Sequence, residues 1–394
     1  MANETIYYLQ NTIQAYNWGH PQAMEKLFDI PNPDHLPQAE MWMGAHDKAP
    51  SLIQRPQAMD LFISENPEQI LGVEVSHRFS GKLPFLFKVL SAEKPLSIQA
   101  HPNKAQAEIG FANENKQGLA LNAACRNYRD NNHKPELIYA LTPFKAMNGF
   151  RTIGEIVRLF SLIDNPVLGT WVTALQTADD SEGLKQFYQN IMRLQGAEQQ
   201  QLINDALSIS KDSAESALHE ILYLQQFYPG DIGVLSPLFL NVVTLLPGEA
   251  MFLKAGTLHA YLQGTGLEIM ASSDNVLRGG LTNKHVDIKE LIKTIEFEPI
   301  NQDELRVQSL MVQGQESFPV PVNDFTFNVI YASDTAKSFT CHSAEILFCL
   351  QGAVTVRTSA GQHFVLRLGQ SCLVTAQTLE YSIEGCGRIA RASA

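Results

Sequence analysis

The strongest constraint on the fold of this chain is an internal repeat. Residues 245–264, LLPGEAMFLKAGTLHAYLQG, align with residues 366–385, LRLGQSCLVTAQTLEYSIEG, at a constant offset of 121, as from Gly248 to Gly369. Leu245/Leu366, Ala255/Ala376, Thr257/Thr378, Leu258/Leu379 and Gly264/Gly385 coincide as well. A turn glycine, a short strand, a bend and a second strand ending in glycine describe a hairpin of a jelly-roll barrel. Two similar barrels in one chain follow. The copies differ where chemistry would sit, because His259 becomes Glu380 and Tyr261 becomes Ser382. The second barrel therefore reads as scaffold without a metal.

The rest of the chain divides around this repeat. Residues 1–150 carry short apolar runs broken by Pro, Gly and Asn, such as LPFLFKVLS and ELIYALTPFKAMNGF, and read as strands and loops of an all-β body. From Arg151 the texture changes. Ile153, Ile156, Val157 and Phe160, then Leu184, Phe187, Ile191 and Leu194, then Leu218, Ile221, Leu222 and Leu224 recur at helical spacing, until FYPGDIG ends the stretch. The expected fold is mainly β with a helical insertion: two jelly-roll barrels plus an α-helical domain. Residues 1–150 and 231–320 would form the first barrel, 151–230 the helical insertion, and 321–394 the C-terminal barrel.

Composition narrows the partners. A net charge of −12 without a sustained basic face argues against nucleic acid. No stretch approaches the roughly 20 apolar residues of a membrane helix. The five cysteines are odd in number and lack CxxC spacing, which fits reduced thiols in a cytoplasmic protein. The N-terminal MANETIYYLQ has Glu4 and no basic segment before an apolar run, so no signal peptide is expected. The expectation is a cytoplasmic monomer with neither a nucleic-acid nor a membrane partner.

Three scattered stretches carry candidate chemistry. In SIQAHP, Gln99 and His101 are two apart and share one face of a strand, and Pro102 puts His101 at its mouth. Glu136 opens an apolar strand behind Pro135, and a carboxylate there needs a partner. His259 and Tyr261 alternate on one face of the strand that the repeat places inside the first barrel. Gln99, His101, Glu136 and His259 together offer an amide oxygen, a carboxylate and two imidazoles. That set suits Zn²⁺, and would also serve Mn²⁺ or Fe²⁺. His133 and Lys134 lie just before Glu136, while Glu268, Asp274, Arg278 and Lys284 follow His259 within 25 positions. Cations and carboxylates around a metal make a candidate pocket for a small polyhydroxylated anion. A solvated loop is the alternative for Arg278 and Lys284, and a turn cap for Asp274.

YRDNNHKPE (128–136) and HAYLQGTGLEIMASSDNVLRGGLTNK (259–284) resemble the two signature segments of the type I mannose-6-phosphate isomerases, or phosphomannose isomerases. QAYNWG (14–19), AEMWMGAHDKAPS (39–51) and KPLSIQAHPNKAQAE (94–108) resemble N-terminal blocks of the same family. The resemblance implies a cupin-type catalytic barrel, a helical domain and a second cupin-like barrel. It implies one Zn²⁺ on Gln99, His101, Glu136 and His259, and an active-site role for Arg278. Lys134, Tyr261, Glu268, Asp274 and Lys284 would line the substrate cleft, with Trp18 and Lys88 at its border, and His133 is a further candidate for substrate binding.

The implied reaction interconverts mannose 6-phosphate and fructose 6-phosphate through a cis-enediol. Glu268, Lys134 and His133 are candidates for the base, and Lys284 or Arg278 for the phosphate contact. The family usually has Ala at Gly279 and Pro at Asn283, so loop stiffness beside Arg278 and Lys284 is a point of departure. An Fe²⁺ cupin oxygenase, which would consume O₂, and a non-catalytic sugar-binding bicupin, which would bind without turnover, are the rival readings.

Overall fold

The computed structural model describes residues 4–53 and 56–394, so the expectation for the N-terminus falls in part, at residues 1–3, outside the described residues. Strand Phe85–Ala92 is buried at every position, and so is Glu136–Ala140. Burial on both faces means something covers each side of the sheet. One side is a second sheet. Phe85, Phe87, Val89, Leu137, Tyr139, Leu267 and Ile269 pack with Phe325, Phe327, Ile346 and Phe348 between the two barrels. The alternate residues Leu90 and Ile138 cluster inside the first barrel. Lys88, Glu136 and Glu268 are in phase with the inward set, because successive side chains alternate across a strand.

Among the described residues the strands form one sheet of ten and one of eleven, giving a mainly β fold of two cupin-like barrels with a helical insertion. The repeat survives to the residue. Ala250–Leu253 is followed by His259–Ala271, and Ser371–Val374 by Glu380–Ser393, each counterpart starting 121 positions later. Gly264 and Gly385 share a φ of 123° at the bend of the long strand. A Cβ there would come within 2.6 Å of the Pro143 carbonyl oxygen in one copy and 2.8 Å of Ala353 O in the other, so only glycine fits.

Helices Ile153–Phe160, Pro166–Ala178, Ser181–Met192, Gly196–Ser210 and Ser216–Gln225 form the insertion. Their apolar sides share one core with Ile98, Ala100, Leu258, Ala260, Leu262 and Leu277 of the first barrel. The insertion thus backs the strands whose opposite faces carry Gln99 and His259.

The N-terminal third differs from the all-β expectation. Helices Ala23–Phe28, Met59–Glu65, Pro67–Leu71, Val73–Arg78 and Lys104–Lys116 interrupt it. Lys104–Lys116 buries only Ala107, Gly110 and Glu114, so it has no apolar stripe to announce it; its sign is the Asn103/Gln106 capping box. The barrels are also more interleaved than a linear division allows. Ile6–Gln10 pairs with Ser371–Val374 of the C-terminal sheet, Ile6 opposite Val374. Leu310–Val312 and Gln315–Ser317 join that sheet too, through Thr326–Ala332.

The second barrel keeps a buried glutamate at the matching place. Glu345 opens its strand opposite Val374, as Glu136 opens its strand opposite Leu253, the residue 121 positions earlier. There the carboxylate accepts from the Tyr381 hydroxyl at 2.5 Å and faces Arg391 Nη1 at 3.8 Å. Glu380, the counterpart of His259, is exposed. Removing the guanidinium leaves a buried carboxylate without its counter-charge. Arg391→Leu is therefore expected to lower unfolding free energy by about 3 kcal/mol in a urea titration, with Glu345→Gln recovering part of the loss in the double variant.

Candidate active site

Strand Ile98–Ala100 lies between two neighbours. Gln99 stands opposite His259 on one side and opposite Arg278 on the other, and His259 in turn stands opposite Asn148. Directly opposed residues on one face have Cβ atoms about 5 Å apart. The register thus sets Arg278, Gln99, His259 and Asn148 in one row. His101, two residues beyond Gln99, leaves the strand at Pro102 and reaches the same place.

Glu136 completes the cluster. His101 Nε2 is 3.3 Å from its Oε1 and His259 Nε2 is 3.4 Å from its Oε2. The ligand atoms of these three residues lie within 4.8 Å of one another, and all three side chains are buried. His101 Nδ1 donates to the Asn275 carbonyl at 2.6 Å and His259 Nδ1 to the Thr257 carbonyl at 2.9 Å. A carbonyl only accepts, so Nδ1 carries a proton in both rings and both Nε2 atoms are turned to Glu136. His101 Nε2 is buried with no hydrogen-bond partner. Gln99 is half-buried, its amide nitrogen 3.4 Å from Ser97 Oγ, and it lines the same cavity.

The cavity holds an unusual charge balance. Lys134 Nζ is 2.8 Å from Glu136 Oε1, and Lys88 Nζ is 2.8 Å from Glu268 Oε2 and 3.6 Å from Glu40 Oε1. Glu40 also accepts from the Trp42 indole at 2.7 Å. Glu40, Glu136, Glu268, Lys88 and Lys134 are each less than a tenth exposed. Three buried carboxyl groups thus stand against two ammonium groups. Burial opposes ionisation of Glu136, yet Lys134 and His101 hold its carboxyl well below the usual range. Burial raises the Glu268 carboxyl against the pull of Lys88, and the Glu136 and Glu40 carboxylates add to the rise. Burial and the Lys134 charge push His101 down to about 4, keeping it neutral. A neutral His101, an ionised Glu136, the His259 ring beside it and an orphaned buried Nε2 fit a divalent cation.

A cavity of about 60 Å³ lies against this cluster, lined by Gln99, Lys134, Tyr261 and Glu268 among others. Tyr261 is buried, with a hydroxyl that has no hydrogen-bond partner and a pKa raised by burial and by Glu268. Trp18 is half-buried at the edge, against the core that contains Tyr261.

Other expected residues sit farther out. His133 is out of phase with Lys134 and Glu136. Its ring turns to the junction between the barrels, 2.9 Å from Asp324, and the structure does not bring it to the cavity. Asp274 pairs with Lys48, with His46 Nε2 at 3.5 Å. Burial would raise its carboxyl, but these two partners hold it well below the usual range. Arg278 is half-buried and Lys284 exposed. Burial and Arg129 lower the Arg278 guanidinium, and burial, Arg278 and Arg129 lower Lys284. These three cations therefore cluster. Gly279 admits the insertion: a Cβ there would lie 3.2 Å from the buried Tyr188 hydroxyl and from Ile98.

Glu40, Arg129, Asn148 and Asn275 were not singled out from sequence. Glu40, Arg129 and Asn275 lie inside the quoted blocks at 39–51, 128–136 and 259–284, Arg129 five residues before Lys134 and Asn275 next to Asp274, which is the available signal. Asn148 shows none; its role in the row comes only from strand register.

Known proteins share this arrangement. Profiles described as the catalytic domain and the helical insertion domain of type I phosphomannose isomerase match residues 6–153 and 170–240, and one described as the mannose-6-phosphate isomerase cupin domain matches 314–394. The mannose-6-phosphate isomerase of Escherichia coli (strain K12) is 44% identical over 394 residues, covering 97% of this chain and 98% of its own. That of Homo sapiens is 35% identical over 398 residues, covering 92% of this chain and 91% of its own. The Salmonella typhimurium mannose 6-phosphate isomerase bound to its substrate, fructose 6-phosphate, and a zinc atom superposes with a TM-score of 0.93 at 43% identity, covering 99% of both chains. The buried His–Glu–His cluster, the two barrels and these matches along the whole chain lead to one assignment: the chain belongs to the type I mannose-6-phosphate isomerases.

Proposed function

We propose that this protein interconverts mannose 6-phosphate and fructose 6-phosphate through a cis-enediol, with one zinc ion held by Gln99, His101, Glu136 and His259. The observation that carries the reading is the convergence of His101, Glu136 and His259, all buried, with ligand atoms within 4.8 Å of one another. The zinc and fructose 6-phosphate bound by the Salmonella typhimurium relative support it. Residues 1–150 and 231–320 supply most of the catalytic barrel, 151–230 the insertion and 321–394 most of the C-terminal barrel.

Zinc, when bound, supplies a Lewis acid for the negative charge that develops on the sugar oxygens. The protein does the rest. Glu268 is the proposed base for the carbon-bound proton, since burial beside other carboxylates gives it a higher proton affinity than a surface glutamate. Lys88 holds its carboxylate in place at 2.8 Å. Lys134 is the alternative base, but its ammonium is tied to Glu136. Tyr261 offers its unpartnered hydroxyl to a sugar oxygen. Arg278, level with Gln99 in the row, is placed to donate to the reacting oxygens. Arg129 and Lys284, with Arg278 between the two roles, form the phosphate subsite, because none of the three has a carboxylate partner among the described residues.

Metal removal tests the first step. Dialysis against a chelator should abolish formation of fructose 6-phosphate, and zinc measured in the same sample should fall with it. Solvent tritium exchange at C2 assigns the base: Glu268→Gln should lose it by at least about a hundredfold while Lys134→Met keeps a measurable rate. Wild-type exchange in Glu268→Gln would move the role to Lys134. Arg129→Ala should raise KM for mannose 6-phosphate by about tenfold, as for one charge-assisted hydrogen bond, with a smaller change in kcat.

A further inference from the structure

Asn275 is fully buried and none of its polar atoms touches the cavity. Its side chain nevertheless makes five hydrogen bonds to one short segment. Its Oδ1 accepts from the backbone N–H of Arg129 at 2.7 Å and of Asp130 at 3.2 Å. Its Nδ2 donates to Asp130 O at 2.9 Å, to Asp130 Oδ1 at 3.2 Å and to Asn132 O at 2.8 Å. Asp130 answers from the other side, accepting from the Ser273 hydroxyl at 2.8 Å and the Asp274 N–H at 2.7 Å. The amide therefore clasps the loop 129–132 to the loop 272–275. Its own carbonyl is the acceptor for His101 Nδ1 at 2.6 Å.

One residue thus reaches three parts of the site. Its carbonyl fixes the tautomer and ring plane of His101, its amide fixes the backbone that carries Arg129, and Arg278 follows three positions later. We infer that Asn275 is a positioning residue, which holds His101 Nε2 on the metal and sets the span between the metal cluster and the cationic cluster. The inference rests on the zinc and phosphosugar reading above. A carbonyl held this way is worth more than a free one, because partners of a ligand imidazole typically change metal affinity by roughly ten- to a hundredfold.

The test is zinc affinity, measured by competition with a chromophoric chelator, on wild type, Asn275→Ala, Asn275→Asp and the control Asn32→Ala. Asn32 is also buried and its amide makes a comparable clasp, to Pro21 O at 2.6 Å and Leu36 O at 2.7 Å, and none of these three residues lines the cavity. Asn275→Asp keeps the volume but turns an oxygen toward three oxygens. Both Asn275 variants should bind zinc at least about tenfold more weakly, while Asn32→Ala loses stability at unchanged zinc affinity. At saturating zinc the Asn275 variants should still show a raised KM for fructose 6-phosphate, since the Arg129 backbone is released. Wild-type zinc affinity in the folded Asn275 variants overturns the inference, and so does failure of both to fold with zinc supplied, which would make the residue a requirement of the fold. Failure of wild type to bind zinc would instead overturn the functional reading.

Discussion

A carboxylate at the bottom of a β-barrel has to be compensated, and the site is arranged around that need. Glu136 is 2% exposed, and leaving such a group bare would cost several kcal/mol. Lys134 at 2.8 Å does part of the work, and two imidazoles oriented by backbone carbonyls face the rest of the carboxylate. A neutral ring cannot cancel charge. It can only share a cation with it, which is why the orientation of the Nε2 atoms points to such a ligand.

The second barrel answers a buried carboxylate with a hydroxyl and a guanidinium. Glu345, at the matching register, takes a hydroxyl from Tyr381 and a guanidinium from Arg391, and Arg391 also stacks over Phe339 at 5.2 Å. A fixed organic cation fills the place and leaves nothing to open. This barrel covers the outer face of the first through Phe325, Phe327, Ile346 and Phe348. That covering makes Phe85–Ala92 and Glu136–Ala140 buried on both sides, and so keeps water from the inward residues Lys88 and Glu136. His133 shows the boundary: one position out of phase, it serves the junction with Asp324 instead.

What was legible in the sequence follows from these layers. The repeat is readable because the bend glycines at φ 123° have no room for a Cβ and the turn glycines at φ 98° and 75° favour glycine, so both hairpins keep one skeleton while His259 and Glu380 differ. The convergence of Gln99, His101, Glu136 and His259 was proposed from residue type and family likeness, not from spacing, since the strands that unite them pair over more than a hundred residues. Strand phase was hidden in PELIYAL and FLFKVLS because both faces are apolar, and that is how His133 was placed with Lys134. The pairing of Ile6–Gln10 with Ser371–Val374 has no local sign at all. Helix Lys104–Lys116 lacked an apolar stripe because it lies on the surface.

The charge distribution links the site to its proposed substrate. A protein of net charge −12 repels a phosphosugar at long range, so attraction has to be local. Arg129, Arg278 and Lys284 lie together without carboxylate partners among the described residues, while the nearby Asp274 is already engaged by Lys48 and His46. Cations that depress one another's proton affinity are poised for an anion that relieves their repulsion. Asp274 kept apart in its own pair does not compete for them. Asp274 belongs to the loop that Asn275 ties down, so one buried residue orients the His101 imidazole through its backbone carbonyl and fixes the segment carrying Arg129 through its side-chain amide.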